Sequence, residues 1–304
     1  MTARITDMFE EAGCSGQLCV QSLDGTRELA IDADAPVVAA SVIKVNVALA
    51  AEAQFAGGQL DPRERVLLPA VTRSPGPIGF SLFRDDVEAS LQDLVVAMLT
   101  ISDNDATDAL IRRIGMDAVN AMSAQLGLTG TVLVADEGTI ATSIAHEAGF
   151  ASWDAMWEWA DQPHPADEER RLVERIPTMT ALRPESTTTT TARDMATLLR
   201  LIWTSEAAPA PACERVRKLM GQQLTKNRLA AAFPPPAKVA AKSGSLVGVV
   251  RNEVGVIEFP DGRVYCAAVL AQSRQPWENT GAINAVIGAA AAAAIEHLEA
   301  APTG

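Results

Sequence analysis

Several ingredients that catalytic and binding proteins often rely on are scarce here, and each shortage removes a class of function. Histidine occurs three times in 304 residues, at His146, His164 and His297. None has a suggestive neighbour and no G-x-S-x-G turn is present, so a Ser-His-Asp hydrolase is set aside. Neither the histidines nor the four cysteines, Cys14, Cys19, Cys213 and Cys266, fall at metal-ligand spacing. With no C-x-x-C, the cysteines read as small buried hydrophobes rather than a zinc or disulfide set. A Walker loop and a G-x-G-x-x-G are both missing, so no phosphate or dinucleotide cradle is expected and no cofactor is implied. Cations are outnumbered: 25 Lys and Arg against 38 Asp and Glu leave a formal net charge of −13. No broad basic face exists to neutralise phosphates, which argues against a nucleic-acid partner. The N-terminal "MTARITDMFEEAG" has no basic segment followed by an apolar run. No signal peptide is read, and a cytosolic location is expected, secretion of a trimmed form being the alternative. Near the C-terminus "AINAVIGAAAAAAIEHL" contains Asn284 and is rich in alanine rather than leucine. It reads as falling short of the ~20 strongly apolar residues of a membrane span.

What is present is a composition for packing. Hydrophobic residues make up 48% and charged residues 21%, which suits one large domain or two lobes. A helix is expected over residues 5–11, followed by two strands around Asp24-Gly25, because D-G between apolar runs signals a hairpin. A helix is expected to start near Ser41 and stop at Gly57-Gly58. Helical spacing dominates from residue 60 to about 224, with Thr191 and Asp194 opening one helix in a capping-box-like pattern. Strand signals return after "FPPPAK", with a second hairpin at "PDGR", and a last helix is expected over about 277–298. Strands therefore fall at both ends of the chain. The expected fold is α/β (α+β): an antiparallel sheet built from both termini and flanked by helices, with a helical lobe inserted. In residue numbers, 1–58 and 225–304 make the α/β lobe and 59–224 the helical lobe.

Three short segments carry the chemistry. "SVIK" places Lys44 three residues after Ser41, on one helical face, so the amine can reach the hydroxyl. An amine withdrawn from water has its charged form disfavoured and can act as a base. Alone, the pair equally describes a lysine snorkelling from a surface helix. "ISDNDATDAL" supplies Ser102, Asp103 and Asn104, which alone reads as an N-cap. "AKSGSLVGVVR" supplies Lys242, Ser243 and Gly244, which alone reads as a strand end. The order S-x-x-K, S-D-N, K-S/T-G is what separates them from chance. On these motifs, with "TTTARDMATLL" and "KSGSLVGVVRNEVGV", the sequence resembles the penicillin-recognising serine hydrolases, and looks closest to the class A β-lactamase branch. Ser102 follows Ser41 by 61 residues, as that branch leads one to expect.

The resemblance implies a two-lobe β-lactamase/transpeptidase-like fold and a set of roles. Ser41 is the nucleophile, Lys44 its base or proton relay, and Ser102 the proton donor to the departing nitrogen. Asn104 holds the substrate's amide side chain, while Lys242, Ser243 and Arg251 hold its carboxylate. Backbone N–H groups of Ser41 and Ser245 form the oxyanion hole. The implied partner is thus a small molecule bearing a carboxylate. The stretch from Ser102 to Lys242, 140 residues, is about a third longer than the branch implies, and the excess is assigned to an insertion at about 136–185. That insertion carries Trp153, Trp157 and Trp159, read as core packing for an added helix or as a lid over the site. The branch also implies a loop glutamate for the deacylating water, in the pattern E-x-x-L-N. Glu169, with Leu172 but with Val173 in place of the asparagine, is the first candidate, and Glu185 the second. Three functions fit: β-lactam hydrolysis; amide or ester hydrolysis or acyl transfer in specialised metabolism; and a penicillin-binding sensor that acylates without efficient deacylation.

Overall fold

In the computed structural model, which describes residues 1–300, helix α1 (Thr2–Glu11) leads into a hairpin of β1 (Cys14–Ser22) and β2 (Glu28–Ile31). The short strand β3 (Val37–Val38) and a 3-10 turn over Ala40–Ile43 precede helix α2 (Lys44–Ala56). Strands β4 (Arg65–Leu68) and β5 (Val87–Ser90) frame a loop excursion before α3 (Leu91–Thr100), α4 (Asn104–Ile114) and α5 (Met116–Gln125). Helices α6 (Glu137–Ala148), α7 (Trp153–Ala160) and α8 (Ala166–Arg175) come next, then β6 (Thr189–Thr190), α9 (Ala192–Trp203), α10 (Ala210–Gly221) and α11 (Leu229–Ala232). The chain ends with β7 (Lys238–Leu246), β8 (Val250–Glu258), β9 (Val264–Ser273) and α12 (Thr280–Ala300).

The main sheet has the order β2-β1-β9-β8-β7 and is antiparallel throughout, so strands from both ends of the chain share it, as expected. Side chains alternate between faces along a strand, and β9 shows what each face meets. Tyr265, Ala267, Val269 and Ala271 join Ile5 and Phe9 of α1 and Ile283, Ile287 and Ala290 of α12. Cys266, Ala268 and Leu270 face the other way, into a core with α2, α3, α4, α9 and α10. All four cysteines are free and buried. By length and mean hydropathy (1.4) α12 does reach the range of a membrane span, more than its alanine content suggested. Here it is the core helix that covers the sheet.

Helix α2 begins at Lys44 rather than at Ser41, which sits on the preceding 3-10 turn. Every residue from Lys44 to Glu52 is buried, the condition of a helix apolar all round. A third, smaller apolar cluster includes the buried residues Val38, Ile144, Ile176, Leu182, Val249 and Val250. Phe150, Trp153, Met156 and Leu172 pack against it from α7, α8 and the loop before them. No residue of α7 or α8 is fully buried; Trp157 is 46% exposed, and Trp159 stacks on His164. The tryptophans thus form a peripheral flap on this cluster. Helix α6, at the head of the segment read as an insertion, is tied to α4 through Asp108, which accepts from Glu137 N and Gly138 N.

Candidate active site

The nucleophile candidate is held from both sides. Ala40, just before Ser41, has φ 47°, a left-handed conformation costly for a residue with a Cβ. The chain is pinned there by buried Asn252, whose Nδ2 donates to Val38 O (2.9 Å) and Ala39 O (3.1 Å). From the other side β7 closes in. A Cβ on Gly244 would lie 3.0 Å from Ser41 N and 3.1 Å from Val42 N, so only glycine lets the strand approach this closely. β7 is an edge strand, and Ser243 N–H points off its open edge to Gln223 Oε1. Backbone groups alternate in direction along a strand, so Ser245 N–H leaves by the same edge, beside Ser41.

Ser102 also has a left-handed backbone, φ 65°, which turns it inward while Asp103 caps α4. The Asp103 carboxylate accepts from Ala106 N (2.9 Å) and Phe80 N (2.5 Å). Both readings of the S-D-N segment therefore hold at once: its middle residue caps a helix and its outer two face the site. Burial pushes the Asp103 carboxyl pKa up, and those two N–H bonds and Lys44 pull it back.

Lys44 is fully buried. Its Nζ donates to Ser102 O (2.9 Å), Asn104 Oδ1 (2.7 Å) and, at 3.4 Å, Ser102 Oγ, and pairs with Glu137 Oε1 at 3.1 Å. Ser41 Oγ, the partner expected from the spacing, is not among these bonds. Asn104 turns its amide nitrogen to Pro75 O (3.0 Å). Lys242 Nζ donates to Ser102 Oγ (3.0 Å) and Ser243 O (2.7 Å). Two amines thus converge on one hydroxyl. The Lys242 pKa falls well below the usual lysine value, chiefly through burial and then through Lys44. Arg251 lies opposite Ser245 across the β7–β8 pair and donates to Thr280 Oγ1 at 3.3 Å. Lys44, Ser102, Asn104 and Lys242 are thus joined by hydrogen bonds, and Ser41 and Ser245 line one cavity; Arg251 is tied instead to Thr280 at the start of α12.

Glu169 is not part of this group. It stands on α8 with its side chain exposed, as does Glu185 on its own short turn. The acid that meets Lys44 is Glu137, the first residue of α6. It is placed by Asp108 of α4, whose two carboxylate oxygens accept from Glu137 N (2.8 Å) and Gly138 N (2.9 Å). Burial raises the Asp108 pKa to about 6. A cavity of about 40 Å³ is lined by Ser41, Glu137, Thr188 and Ser245 with apolar Ile140 and Leu246, ample for a water, which needs roughly 10–15 Å³. Glu137 stands in "EGTIA", outside the E-x-x-L-N pattern. Its one local signal, an acid at a helix start, is shared by many helices. Arg228 and Glu253 were also missed. Buried Arg228 donates to Gly244 O (2.9 Å) and Ser245 Oγ (2.7 Å) beneath β7.

This arrangement provides a serine hydroxyl and a carboxylate on one water-sized cavity, and a second hydroxyl between two amines. Known proteins share the framework. The chain is 30% identical over 285 residues to the beta-lactamase regulatory protein BlaB of Streptomyces cacaoi, covering 90% of this chain and 89% of that protein. Among solved structures, a beta-lactamase from Sphaerobacter thermophilus superposes with TM-score 0.76 at 24% identity, covering 99% of this chain and 98% of the other. The class A beta-lactamase of Mycobacterium abscessus gives 0.77 at 16% identity, covering 98% and 99%. PBP-A gives 0.75 at 21%, covering 98% and 96%. Residues 1–298 match the family model Beta-lactamase2, described as the beta-lactamase enzyme family, and with this match the chain belongs to that family of serine hydrolases.

Proposed function

We propose that the protein hydrolyses β-lactams through a covalent acyl-enzyme on Ser41. Ser41 Oγ attacks the lactam carbonyl carbon, and the oxyanion that develops accepts from the N–H groups of Ser41 and Ser245. Its proton passes into the Lys44–Glu137 pair. The C–N bond breaks as Ser102 Oγ delivers a proton to the nitrogen and is resupplied from Lys44 or Lys242, both within 3.4 Å of it. Water activated by Glu137 then attacks the ester carbon and releases Ser41 with the ring-opened acid. Lys242, Ser243 and Arg251 hold the substrate carboxylate, attracted locally despite the acidic whole. Asn104 holds its amide side chain. The role first assigned to Glu169 falls in this reading to Glu137.

The observation that carries the proposal is Glu137 itself. It pairs with Lys44 at 3.1 Å and lines the cavity that Ser41 also lines, which favours turnover over a stable adduct. Nitrocefin turnover tests it, together with intact mass after benzylpenicillin: hydrolysis with no lasting adduct is expected. A second reading is supported by the relative described as a regulatory protein: a sensor that acylates and stops. A persistent adduct without turnover would favour it. A cytosolic location and a contribution to β-lactam resistance belong to the same proposal, tested by fractionation and by drug tolerance on expression.

A further inference from the structure

Beneath the open edge of β7 lies a buried carboxylate that the reaction above does not use. Glu253, on β8, is 1% exposed and sits opposite Ser243. Its Oε1 accepts from Gln223 Nε2 at 3.2 Å, and Gln223 Oε1 accepts from Ser243 N at 2.5 Å. Its Oε2 accepts from Leu229 N at 2.6 Å. That bond fixes the chain at Arg228, whose guanidinium donates to Gly244 O, to Asn252 O (2.5 Å) and to Ser245 Oγ, while its Nε donates to Asn284 Oδ1 (3.0 Å). Asn252 in turn holds Val38 O and Ala39 O, directly before Ser41.

We propose that Glu253 is a positioning residue that sets β7 against Ser41 by anchoring two hydrogen-bonded limbs, one through Gln223 to Ser243 and one through Leu229 to Arg228. The chemistry requires a carboxylate: both of its oxygens accept, whereas an amide presents one acceptor and one donor. Gln223, Arg228 and Asn252 are each no more than 3% exposed, so a broken bond leaves a buried polar group unmatched rather than solvated. Lys242 feels the same group. Facing it are Lys44 from α2, Glu137 from α6, Arg228 from the chain before α11 and Glu253 from β8; the carboxylates favour its charged form, and the cations and burial oppose it. Burial pushes the Glu253 pKa up, while the Leu229 N–H, Arg228, Gln223 and Lys242 pull it back.

The inference builds on the proposed function for its kinetic readout only. In E253Q, amide hydrogen exchange in the peptide spanning residues 238–246 is expected to quicken. Acylation by benzylpenicillin, followed by intact mass, is expected to slow by about tenfold or more, since small misplacements of a site cost rates of this order. Its high-pH limb moves to lower pH, because a charge favouring protonated Lys242 is gone. The double variant Q223E/E253Q moves the carboxylate across the pair. The new acid accepts from Ser243 N and from the glutamine amide at 253, whose oxygen accepts from Leu229 N; the bond that Gln223 Nε2 gives Thr225 O (2.9 Å) is the one not restored. Exchange and acylation are expected to return to within a few-fold of wild type, a rescue that plain loss of packing would not give. Unchanged exchange and acylation in E253Q, or a double variant no better than the single, overturns the inference. Should E253Q not fold, Gln223→Met cuts the Ser243 limb, with the Thr225 O bond, while leaving the Leu229 limb in place, and is read by the same exchange measurement. A wild-type protein that penicillin does not acylate sinks the proposed function, and exchange then decides the positioning role alone.

Discussion

Lys44 shows how much one side chain can determine. An ammonium has three protons to give and accepts nothing, and here Ser102 O, Asn104 Oδ1 and Glu137 Oε1 take them at 2.7–3.1 Å. It becomes a base for Ser41 only after a proton leaves it, and the carboxylate in contact with it is Glu137. Replacing Glu137 with glutamine should therefore slow acylation and slow deacylation further, by 10²-fold or more, the usual scale of a lost general base. Mass spectrometry after penicillin should then find a long-lived adduct that wild type lacks. Equal clearance in the two proteins would remove Glu137 from the mechanism. Elsewhere on the same helix, burial raises the Glu52 pKa to about 7, and Arg215, 3.8 Å away, only partly opposes this. Between about pH 4.5 and 7 the folded state binds more protons at Glu52 than the unfolded state does, so this group lowers stability as pH rises through that window. Glu52→Gln should be the more stable protein above pH 7, by on the order of 2–3 kcal/mol at most, and should lose its advantage near pH 4. Urea unfolding across that range measures it.

At the scale of elements, the site is a contact between one strand edge and one helical turn. Gly244 is where they touch, and a Cβ there meets backbone atoms of Ala39, Ser41 and Val42 at 3.0–3.2 Å. Gly244→Ala should push β7 outward, destabilise the fold by about 1–3 kcal/mol as overpacking does, and slow acylation at least tenfold. Denaturant melts and adduct kinetics would show both, and a fully active alanine variant would contradict the approach described. Most of these elements were legible in the sequence because their signals are local. The Asp24-Gly25 hairpin, the Thr191 cap and the period of the strands each depend on neighbours a few residues away, and Thr191 Oγ1 does accept from Asp194 N at 3.0 Å. The three motifs were legible for the same reason. Glu137 was not, because an acid in the first turn of a helix is what the helix dipole favours anywhere. What sets it apart is Asp108, 29 residues earlier, and Lys44 across the core. Glu253 was equally mute: it follows Arg251 and Asn252 in a short polar run on β8, and it is meaningful only through Gln223 and Arg228.

For the molecule as a whole, the segment read as an insertion packs α7 and α8 on the third apolar cluster. Arg175 Nη1 reaches Ala148 O at 3.2 Å, so the excursion carrying α7 and α8 leaves and rejoins the framework at adjacent points. Replacing residues 150–174 with a short Gly-Ser link should leave a cooperatively folding protein whose Tm is lower by a few degrees, still acylated at Ser41. Side-chain preference among β-lactams should change, because Phe150, Trp153 and Leu172 pack on the same cluster as Ala40, Ile140 and Leu246 at the cleft wall. Thermal unfolding and a substrate panel test both; loss of folding would show the flap to be structural.

The pairing of β1 with β9 has a temporal meaning. Cys14 aligns with Ser273 and Ser22 with Tyr265, so the first strand made at the ribosome waits for nearly the last. Ser41 emerges early, but β7 and β8 are connected to the opening hairpin within the sheet only through β9, which lies between them. Such long-range closure is slow and cannot be completed domain-by-domain during synthesis. A nascent chain halted before residue 264 would hold Ser41, Lys44, Ser102 and Lys242 and still lack the strand that ties β7 and β8 to the opening hairpin.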